Sequence, residues 1–319
     1  MARLDHRLLI GLVILGVAAG CNRGGSTEEG APPKVAFVMK TLNHPFFLDM
    51  QRGAQEAADR ERIQLVVQAA EREIDVEKQM QIIENLLQTG LRALVVTPSG
   101  SREIASAIVK ANRAGVPVIV VDTRVDPKAA ADNQLKVASF IGSDNYEGGR
   151  LAGEYLAKST GGKARVAVLE GIPGHETGDS RLRGFRDAVQ QHQGMTIVAS
   201  QPANWERDLG FTVFQNMLQA HRDINALFAC SDLMALGAVE AIAASGRSGI
   251  RVVGFDALDD ARKMIEAGRM EASVAQSPRD MGRIAVESAA RLLRGETVAA
   301  EQKVPIALVT KSGGAAAVR

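Results

Sequence analysis

The sequence predicts an α/β protein made of two consecutive units, each a parallel sheet covered by helices on both faces. Short β-branched runs are apolar throughout rather than alternating in polarity, which is typical of strands buried in a parallel sheet. Each run is followed by an amphipathic stretch with helical spacing, as in repeated βα units. The alternation restarts after Gly142, so a second unit of similar size follows the first.

The first unit begins at Lys34 and alternates strands with helices. Strands are predicted at residues 35–39, 65–67, 94–96 and 116–121. A helix with an apolar face follows Pro45, and two further helices are predicted at residues 76–87, ending before Gly90, and at residues 104–114.

The second unit repeats this arrangement after a passage at residues 140–144. Helices are predicted at residues 147–158, 182–191, 209–218, 234–244 and 261–267, and strands at residues 165–169, 196–199, 226–229 and 252–253. Two last strands, at residues 272–275 and 306–310, flank a helix at residues 281–293. These elements are awkward for two independent domains but natural if the chain crosses back and forth between them.

Residues 1–20 have the layout of a bacterial secretory signal peptide. Arg3 and Arg7 supply a positively charged start, and the apolar run that follows at residues 8–17 is too short to span a bilayer as a permanent helix. Small residues then lead into Cys21, as in a lipoprotein cleavage box whose cysteine becomes the lipidated first residue. The alternative is an ordinary cleaved signal with an incidental cysteine. Residues 21–33 are rich in Gly, Ser, Glu and Pro, so we expect a flexible tether that anchors the folded part in the periplasm or at the cell surface.

Charge and cysteine content exclude several kinds of protein. The chain has 38 basic and 37 acidic residues, so no basic excess indicates binding to nucleic acid. The two cysteines are Cys21 and Cys230, and lipidation of Cys21 would leave no pair for an intramolecular disulfide. Cys230 ends an apolar run and is expected to be a small buried hydrophobe.

Polar and aromatic side chains follow the predicted strands, which is where open parallel sheets bind ligands. Aromatic rings can cover the C–H faces of a pyranose, while charged and amide groups bind its hydroxyls at about 1.5–3 kcal/mol per buried charged hydrogen bond. Taken singly, Phe46 and Phe47 could be core, Asp122 and Asp256 could cap helices, and Arg181 could be a solvated residue. Their joint placement predicts a carbohydrate site. The strand-end residues are Lys40, Asn43, His44, Phe46, Phe47, Thr97, Asp122, His175, Glu176, Asp179, Arg181, Trp205, Ser231, Asp256 and Gln276.

Several motifs in order resemble those of the periplasmic ribose- and allose-binding proteins. They are KTLNHPFF at residues 40–47, IGSDN at 141–145, SQPANW at 200–205, DLMALG at 232–237, VGFD at 253–256 and VAQ at 274–276. The resemblance covers residues 34–311. It implies a type I periplasmic binding protein, with two Rossmann-like lobes joined by a three-strand hinge, that captures sugar for an ABC importer.

The resemblance also implies where the lobes, hinge and sugar contacts lie. The N-terminal lobe would comprise residues 34–142 plus 277–304, and the C-terminal lobe residues 144–275 plus 307–319. Phe46 or Phe47 would sandwich the sugar against Trp205. The implied sugar contacts are Lys40, His44, Phe46, Phe47, Thr97, Asp122, Arg181, Trp205, Ser231, Asp256 and Gln276, with Asn43, His175, Glu176 and Asp179 as additional candidates. The implied hinge residues are Ser143, Asp144, Gln276, Pro305 and Ile306.

Departures from the family pattern bear on the ligand. Lys40 and the spacing of residues 174–181 are closer to allose binders than to ribose binders, which usually have Ser at the first of these positions. His44 and Ser231 each replace an Asn of the family pattern, and Thr123 stands where ribose binders have Arg. An allose- or psicose-like monosaccharide is therefore expected first, and ribose next, with inositol or another polyol left open.

Other functions are less consistent with the sequence. It has no G-x-S-x-G, G-x-x-x-x-G-K-[ST] or G-x-G-x-x-G motif and no metal-spaced Cys/His cluster, so neither an enzyme nor a cofactor is expected. A glycosidase would have to pair Asp122 with Asp256. Lactose-repressor-like effector domains share the architecture, but here a signal and tether occupy the place of their DNA-binding helices. We expect a monomer that passes sugar to an ABC permease, or alternatively to a sensor kinase or chemoreceptor.

Overall fold

The computed structural model describes residues 31–312 and 316–318, so the predicted signal, Cys21 and most of the tether lie outside the described residues. The chain runs through β1 (Lys34–Thr41), α1 (Pro45–Glu61), β2 (Gln64–Ala70), α2 (Val76–Leu87), β3 (Ala93–Val96), α3 (Ala105–Arg113), β4 (Val118–Val121), α4 (Pro127–Asp132) and β5 (Ser139–Gly142). It continues through α5 (Asn145–Ser159), β6 (Lys163–Glu170), α6 (Glu176–Gln190), β7 (Gly194–Pro202), α7 (Arg207–Ala220), β8 (Ala226–Ala229), α8 (Asp232–Ala244), β9 (Arg251–Asp256), α9 (Asp259–Glu266) and β10 (Ala272–Ala275). The last elements are α10 (Pro278–Leu293), β11 (Glu301–Lys303), β12 (Ile306–Thr310) and β13 (Ala316–Val318).

The described strands form two sheets. The first has the order β11-β5-β4-β3-β1-β2, and every neighbouring pair is parallel. The second has the order β13-β12-β10-β9-β8-β6-β7, in which only β12 and β13 run antiparallel to their neighbours. We call the first sheet with α1–α4 and α10 the first lobe, and the second sheet with α5–α9 the second lobe. The predicted fold class, two α/β lobes with parallel sheets, is confirmed.

The chain passes between the lobes three times, after β5, after β10 and after β11. Two of these crossings touch, because the Val304 amide donates to the Gly142 carbonyl over 2.9 Å. The Lys303 ammonium also lies 3.2 Å from the Asp144 carboxylate, which caps α5. Three adjacent crossings constrain twisting between the lobes more than a single linker would, so hinge bending is the motion that they favour.

Both faces of the first sheet are buried, which explains its uniformly apolar strands. Phe37 of β1 packs in a cluster with residues of α1 and α10, including Met50 and Met281. The next residue, Val38, packs in a separate cluster with residues of α2 and α3, such as Ile83. Successive strand residues point to opposite faces, so a sheet covered on both sides needs apolar residues at every position.

Close helix packing rigidifies each lobe near the crossings. A Cβ at Gly53 of α1 would lie 1.9 Å from the Arg279 carbonyl oxygen of α10. A Cβ at Gly149 of α5 would lie 1.9 Å from the Arg181 carbonyl oxygen of α6. Only glycine allows these backbones to approach so closely, and the second contact fixes the helix segment that carries Arg181.

The structure differs from the sequence prediction at several elements. The predicted passage at residues 140–144 contains the end of β5, and α6 begins at Glu176 rather than at residue 182. The elements α4, β5, β11 and β13 were not predicted, because they are short and two of them lie at sheet edges. No helix in the described part of the chain is long and apolar enough to cross a membrane.

Candidate functional site

A cavity lies between the lobes at the carboxyl ends of the strands, and its space outside the protein atoms, with the adjoining open solvent included, is about 330 Å³. All the predicted principal sugar contacts except Thr97 line it, together with two residues that were not predicted, Glu73 and Thr177. Almost all of these side chains are buried. The lining residues are Lys40, His44, Phe46, Phe47, Glu73, Asp122, Thr177, Arg181, Trp205, Ser231, Asp256 and Gln276.

The first lobe places one ammonium group between two carboxylates. The Lys40 Nζ atom lies 3.0 Å from Asp122 Oδ2 and 3.8 Å from Glu73 Oε2. Burial opposes ionisation of Asp122, but the cations of Lys40 and Arg181 outweigh it and hold the pKa of Asp122 below its ordinary value. Burial dominates at Glu73 and raises its pKa to about 7. Lys40 and Asp122 therefore form an ion pair, while Glu73 titrates near neutrality.

The second lobe holds one guanidinium group by several contacts. Arg181 donates from Nε to Asn145 Oδ1 over 2.9 Å and from Nη1 to the Cys230 carbonyl over 2.7 Å. Its guanidinium also lies 3.7 Å from the centre of the Phe255 ring and 3.7 Å from Asp256 Oδ1. At 3% exposure, Arg181 is not the solvated surface residue that its helical position alone would suggest.

Asp256 faces the cavity between two partners. Gln276 Nε2 donates to Asp256 Oδ1 over 2.8 Å, and Arg181 approaches the same oxygen. Burial raises the pKa of Asp256, against the opposing charge of Arg181. Both contacts fall on Oδ1, which leaves Asp256 Oδ2 to accept from a ligand hydroxyl.

Each lobe contributes aromatic surface to the cavity. The rings of Phe46 and Phe47 meet edge to face, with centroids 5.3 Å apart. From the second lobe, Trp205 packs on Gly171, where a Cβ would lie 2.0 Å from the indole ring. Glycine at position 171 thus lets the ring lie flat against the loop after β6, and apolar surface faces the cavity from both sides.

Polar atoms of the cavity wall are buried without partners among the described residues. They include Ser231 Oγ and Trp205 Nε1. His44 caps α1 by accepting from the Phe46 amide at Nδ1 over 3.1 Å, and burial lowers its pKa, so it is neutral. A buried polar atom without a partner is costly, and a polyhydroxylated ligand can supply the missing hydrogen bonds.

A buried network shapes the loop that carries Asp256. Asp232 accepts from the Leu258 amide and from the Ser273 hydroxyl, each over 2.7 Å. Ser273 in turn accepts from the Ala257 amide over 3.0 Å. These bonds fix a loop whose φ angles at Asp256 and Ala257 are 108° and 50°, a region that residues with side chains rarely occupy.

The lobes also touch each other directly beside the cavity. Thr123 Oγ1 of the first lobe and Thr177 Oγ1 of the second lie 2.8 Å apart and share a hydrogen bond. Ser101 Oγ of the first lobe accepts from the Glu176 amide over 3.1 Å. The structure is therefore a closed arrangement, in which α6 docks against the loops after β3 and β4.

Several predicted contacts do not line the cavity. Thr97 is fully buried behind it, where its hydroxyl accepts from the Lys40 amide over 3.0 Å and fixes the end of β1. Asn43 donates to the Glu71 carbonyl at the surface. His175 and Glu176 lie at the junction between the lobes, and Asp179 is exposed. The side chains of these residues serve the wall or the interface rather than the cavity.

Two cavity residues were missed by sequence reasoning. Glu73 lies just after β2, so the rule that ligands bind beyond strand ends could have found it. Thr177 lies in the polar first turn of α6, which gave no helical signal. In the described part of the chain, no group of three or more His, Cys, Asp or Glu side chains could hold a metal ion.

Two α/β lobes with three crossings, closed over a cavity of charged, amide and aromatic groups, define a two-lobed solute-binding protein. The chain belongs to the periplasmic binding protein family, because the family's periplasmic binding protein domain matches residues 35–297. Membership of this family implies a location outside the cytoplasm.

Similar proteins include several sugar-binding components of importers. The ribose import binding protein of Escherichia coli is 38% identical over 286 residues, covering 90% of this chain and 93% of that protein. The D-ribose/D-allose-binding protein of Pseudomonas aeruginosa is 36% identical over 321 residues, covering 97% and 99% of the two chains. An ABC transporter solute-binding protein of Actinobacillus succinogenes, solved with bound D-allose, has a TM-score of 0.82 at 37% identity, covering 88% of this chain and 98% of that chain.

Proposed function

We propose that this protein captures one monosaccharide between its lobes and delivers it, chemically unchanged, to an ABC importer. The observation that carries the proposal is the composition of the cavity wall. Aromatic rings from both lobes are combined there with Lys40, Asp122, Arg181 and Asp256, whose charges are mutually compensated. This combination suits a neutral ligand that has apolar faces and a rim of hydroxyls.

The sugar is an allose- or psicose-like monosaccharide, with ribose next. The names of the relatives, which refer to ribose and allose, support this order without deciding it. Lys40 and His44, two positions that bear on the choice between allose and ribose binders, both lie in the first-lobe wall of the cavity. Closure takes place about the crossings at Ser143–Asp144, Gln276 and Pro305–Ile306, between lobes formed by residues 34–142 plus 277–304 and residues 144–275 plus 307–319.

A panel of sugars tests the proposal. Thermal unfolding of the mature protein is followed with D-allose, D-psicose, D-ribose, D-glucose and myo-inositol, and each shift is checked by calorimetric titration. Saturating the site at 100 times Kd is expected to stabilise the folded protein by about 2.7 kcal/mol. If no carbohydrate or polyol raises the melting temperature, the proposal is wrong.

The protein acts as a binding protein rather than as a glycosidase. Asp122 and Asp256, the acids that hydrolysis would require, are engaged by Lys40 and by Arg181 with Gln276. Recovered D-allose and common disaccharides should therefore be unaltered after incubation with the protein. Turnover of an aryl glycoside above the buffer rate would contradict this part of the proposal.

The mature chain is anchored by a lipid on Cys21 and acts as a monomer. Replacing Cys21 with Ser is expected to move the protein from the membrane fraction to the soluble fraction. The matched control is Cys230→Ala, because Cys230 is buried in the second lobe and should not affect membrane retention. Retention of the Cys21→Ser protein on membranes would refute the anchor.

Stimulation of a reconstituted permease by the sugar-loaded protein distinguishes an importer from a sensor kinase or chemoreceptor.

A further inference from the structure

Glu73 is the carboxylate of the cavity that has no cation of its own. Three carboxylates, Glu73, Asp122 and Asp256, face two cations, Lys40 and Arg181. Asp122 lies 3.0 Å from Lys40 Nζ, and Asp256 lies 3.7 Å from Arg181 Nη1. Glu73 must share Lys40, at 3.8 Å. One negative charge is therefore left without a matching positive charge in a site that is largely removed from water.

In the closed structure the two lobes together shield Glu73 from most of the solvent. Its side chain is 12% exposed and lies between the cavity and an outer groove. The opposite wall of that groove belongs to the second lobe and includes Trp205, Arg207 and Asp208. If the second lobe moved away, the groove would lose this wall and Glu73 would regain solvent. A carboxylate that loses water without gaining a dedicated cation is driven to take up a proton.

We propose that Glu73 is a ligand-contacting, specificity-determining residue that acts as a neutral acid, so that capture of the sugar is coupled to uptake of a proton at its carboxyl group. The inference rests on the proposed function and deepens it. The proton comes from solvent, and the resulting O–H donates to an oxygen of the sugar. In this form Glu73 favours a ligand that presents a hydroxyl or ether oxygen, and it gives no advantage to the ammonium group of an amino sugar.

The electrostatics around Glu73 agree with this role. Burial raises the pKa of Glu73 to about 7 in the closed structure, although Lys40 opposes the rise. Because the closed form binds the proton more tightly than an exposed glutamate does, Glu73 favours closure as the pH falls below about 7 and ceases to do so above it. The other charged groups that face it are Lys40 from β1, Asp122 from the end of β4 and Arg181 from α6, with Glu71, Arg72 and Asp75 on its own segment and Glu206, Arg207 and Asp208 across the groove.

Two histidines act in the opposite direction. Burial lowers the pKa of His44, and it lowers the pKa of His175 to about 4. Closure therefore releases protons from these side chains wherever they are charged in the open form. Net proton exchange in the wild type mixes both effects, so the contribution of Glu73 must be measured as a difference between variants.

The first experiment measures protons taken up per sugar bound. D-allose, with D-ribose in parallel, is titrated calorimetrically at pH 7 in buffers of different ionisation enthalpy. The wild type is expected to take up about half a proton more than Glu73→Gln, because a group with a pKa of about 7 is half protonated at that pH. Glu77→Gln is the matched control: Glu77 is exposed on α2, lines neither the cavity nor the outer groove, and should leave the wild-type value unchanged. Equal proton uptake by the wild type and Glu73→Gln would overturn the inference.

The second experiment separates a neutral donor from a carboxylate. Glutamine is neutral and can donate, so Glu73→Gln is expected to keep the sugar affinity at pH 7 within about threefold, while Glu73→Ala should lose about threefold to tenfold, as for one neutral hydrogen bond. Circular dichroism and thermal unfolding establish that both variants are folded. Equal losses in Gln and Ala variants would show that the charged form is needed and would overturn the inference. If the wild type binds no carbohydrate, the proposed function fails and this inference with it; sugar binding without the proton difference overturns this inference alone.

Discussion

Asp122 and Asp256 both face the cavity from backbone conformations that residues with side chains seldom adopt. Their φ angles are 65° and 108°. Such conformations cost about 1–3 kcal/mol each and persist only where the surrounding structure enforces them. Asp122 directly follows β4 and Asp256 is the last residue of β9, so the rigid backbones of two buried strands supply that constraint. The strain therefore fixes two carboxylates at the positions from which they can bind a ligand.

Asp256→Ala is predicted to weaken sugar binding by about 1.5–3 kcal/mol. The substitution removes a charged acceptor from the cavity and leaves Arg181 without its nearby carboxylate. Calorimetric titration with the sugar that gives the largest thermal shift measures the change. Asp260→Ala is the control, because Asp260 is exposed and pairs with Lys263 outside the cavity. Wild-type affinity in the Asp256 variant would contradict its place in the site.

Trp205→Ala is predicted to weaken binding by about 1–3 kcal/mol, if stacking on a sugar is comparable with stacking on a nucleic-acid base. Trp205→Phe should recover part of the loss, since a phenyl ring can still cover the apolar face of a sugar. Titration of the two variants side by side gives the comparison. The assignment fails if the alanine variant binds as tightly as the wild type.

Most cavity residues could be predicted because they follow strands, but the burial of a polar side chain such as that of Arg181 could not. Arg181 occupies a helical position that local pattern treats as solvent-exposed, and its burial arises from Asn145, Cys230 and Phe255, which are distant in sequence. Thr97 was wrongly expected to line the cavity. It follows a strand, but its hydroxyl accepts from the Lys40 amide and so supports the neighbouring strand β1. Sequence spacing gives the place of a residue, whereas its partners depend on tertiary packing.

At the scale of elements, the loop after β9 depends on one buried acid. Asp232 is fully buried at the start of α8, and its two oxygens accept from Leu258 and Ser273. The network supports the strained segment at Asp256 and Ala257 rather than touching the cavity itself. Asp232 thus positions the segment that carries Asp256.

Asp232→Ala is predicted to lower the free energy of unfolding by about 1–3 kcal/mol and to weaken sugar binding as well. Two buried donors lose their acceptor, and the Asp256 loop loses its support. Urea unfolding and calorimetric titration measure the two effects separately. Ser273→Ala should cause a smaller change of the same kind, because it removes only part of the network. If stability falls while sugar affinity stays at the wild-type value, Asp232 has no positioning role.

Strands were predicted correctly where both faces of the sheet are buried, and they were missed at the edge of a sheet. Strands such as β3 and β8 are completely buried and give an unmistakable apolar run. By contrast, β11 reads Glu-Gln-Lys, and its burial pattern is mostly exposed because it lies at the edge of the first sheet. An edge strand needs no apolar periodicity, so its pairing with β5 cannot be inferred from composition.

At the scale of the whole molecule, affinity depends on the balance between open and closed arrangements. The hydrogen bond between Thr123 and Thr177 exists only when the lobes meet, and it lies beside the cavity. It stabilises the closed form whether or not a sugar is bound. Ligand contacts from both lobes add to the same equilibrium.

Replacing Thr177 with Val is predicted to weaken sugar binding by about 0.5–1.5 kcal/mol, the usual contribution of one neutral hydrogen bond. Thr123→Val should weaken binding more, because the Thr123 hydroxyl also donates to Asp122 Oδ2 over 3.0 Å. The double variant should lose less than the sum of the two, because both single changes remove the same bond between the lobes. Small-angle X-ray scattering should show a larger radius of gyration for the ligand-free double variant than for the wild type. Additive losses in the double variant would contradict a direct coupling.

The discontinuous first lobe also bears on how the chain acquires its fold. The helix α10 and the edge strand β11 complete the first lobe, yet they follow the entire second lobe along the chain. A polypeptide that emerges amino end first, from a ribosome or an export pore, cannot cover Val95 and Ile119 with α10 until nearly all of it has been delivered. The first lobe therefore cannot complete its core early. This delay would keep the chain unfolded enough to pass through a pore until nearly all of it has emerged.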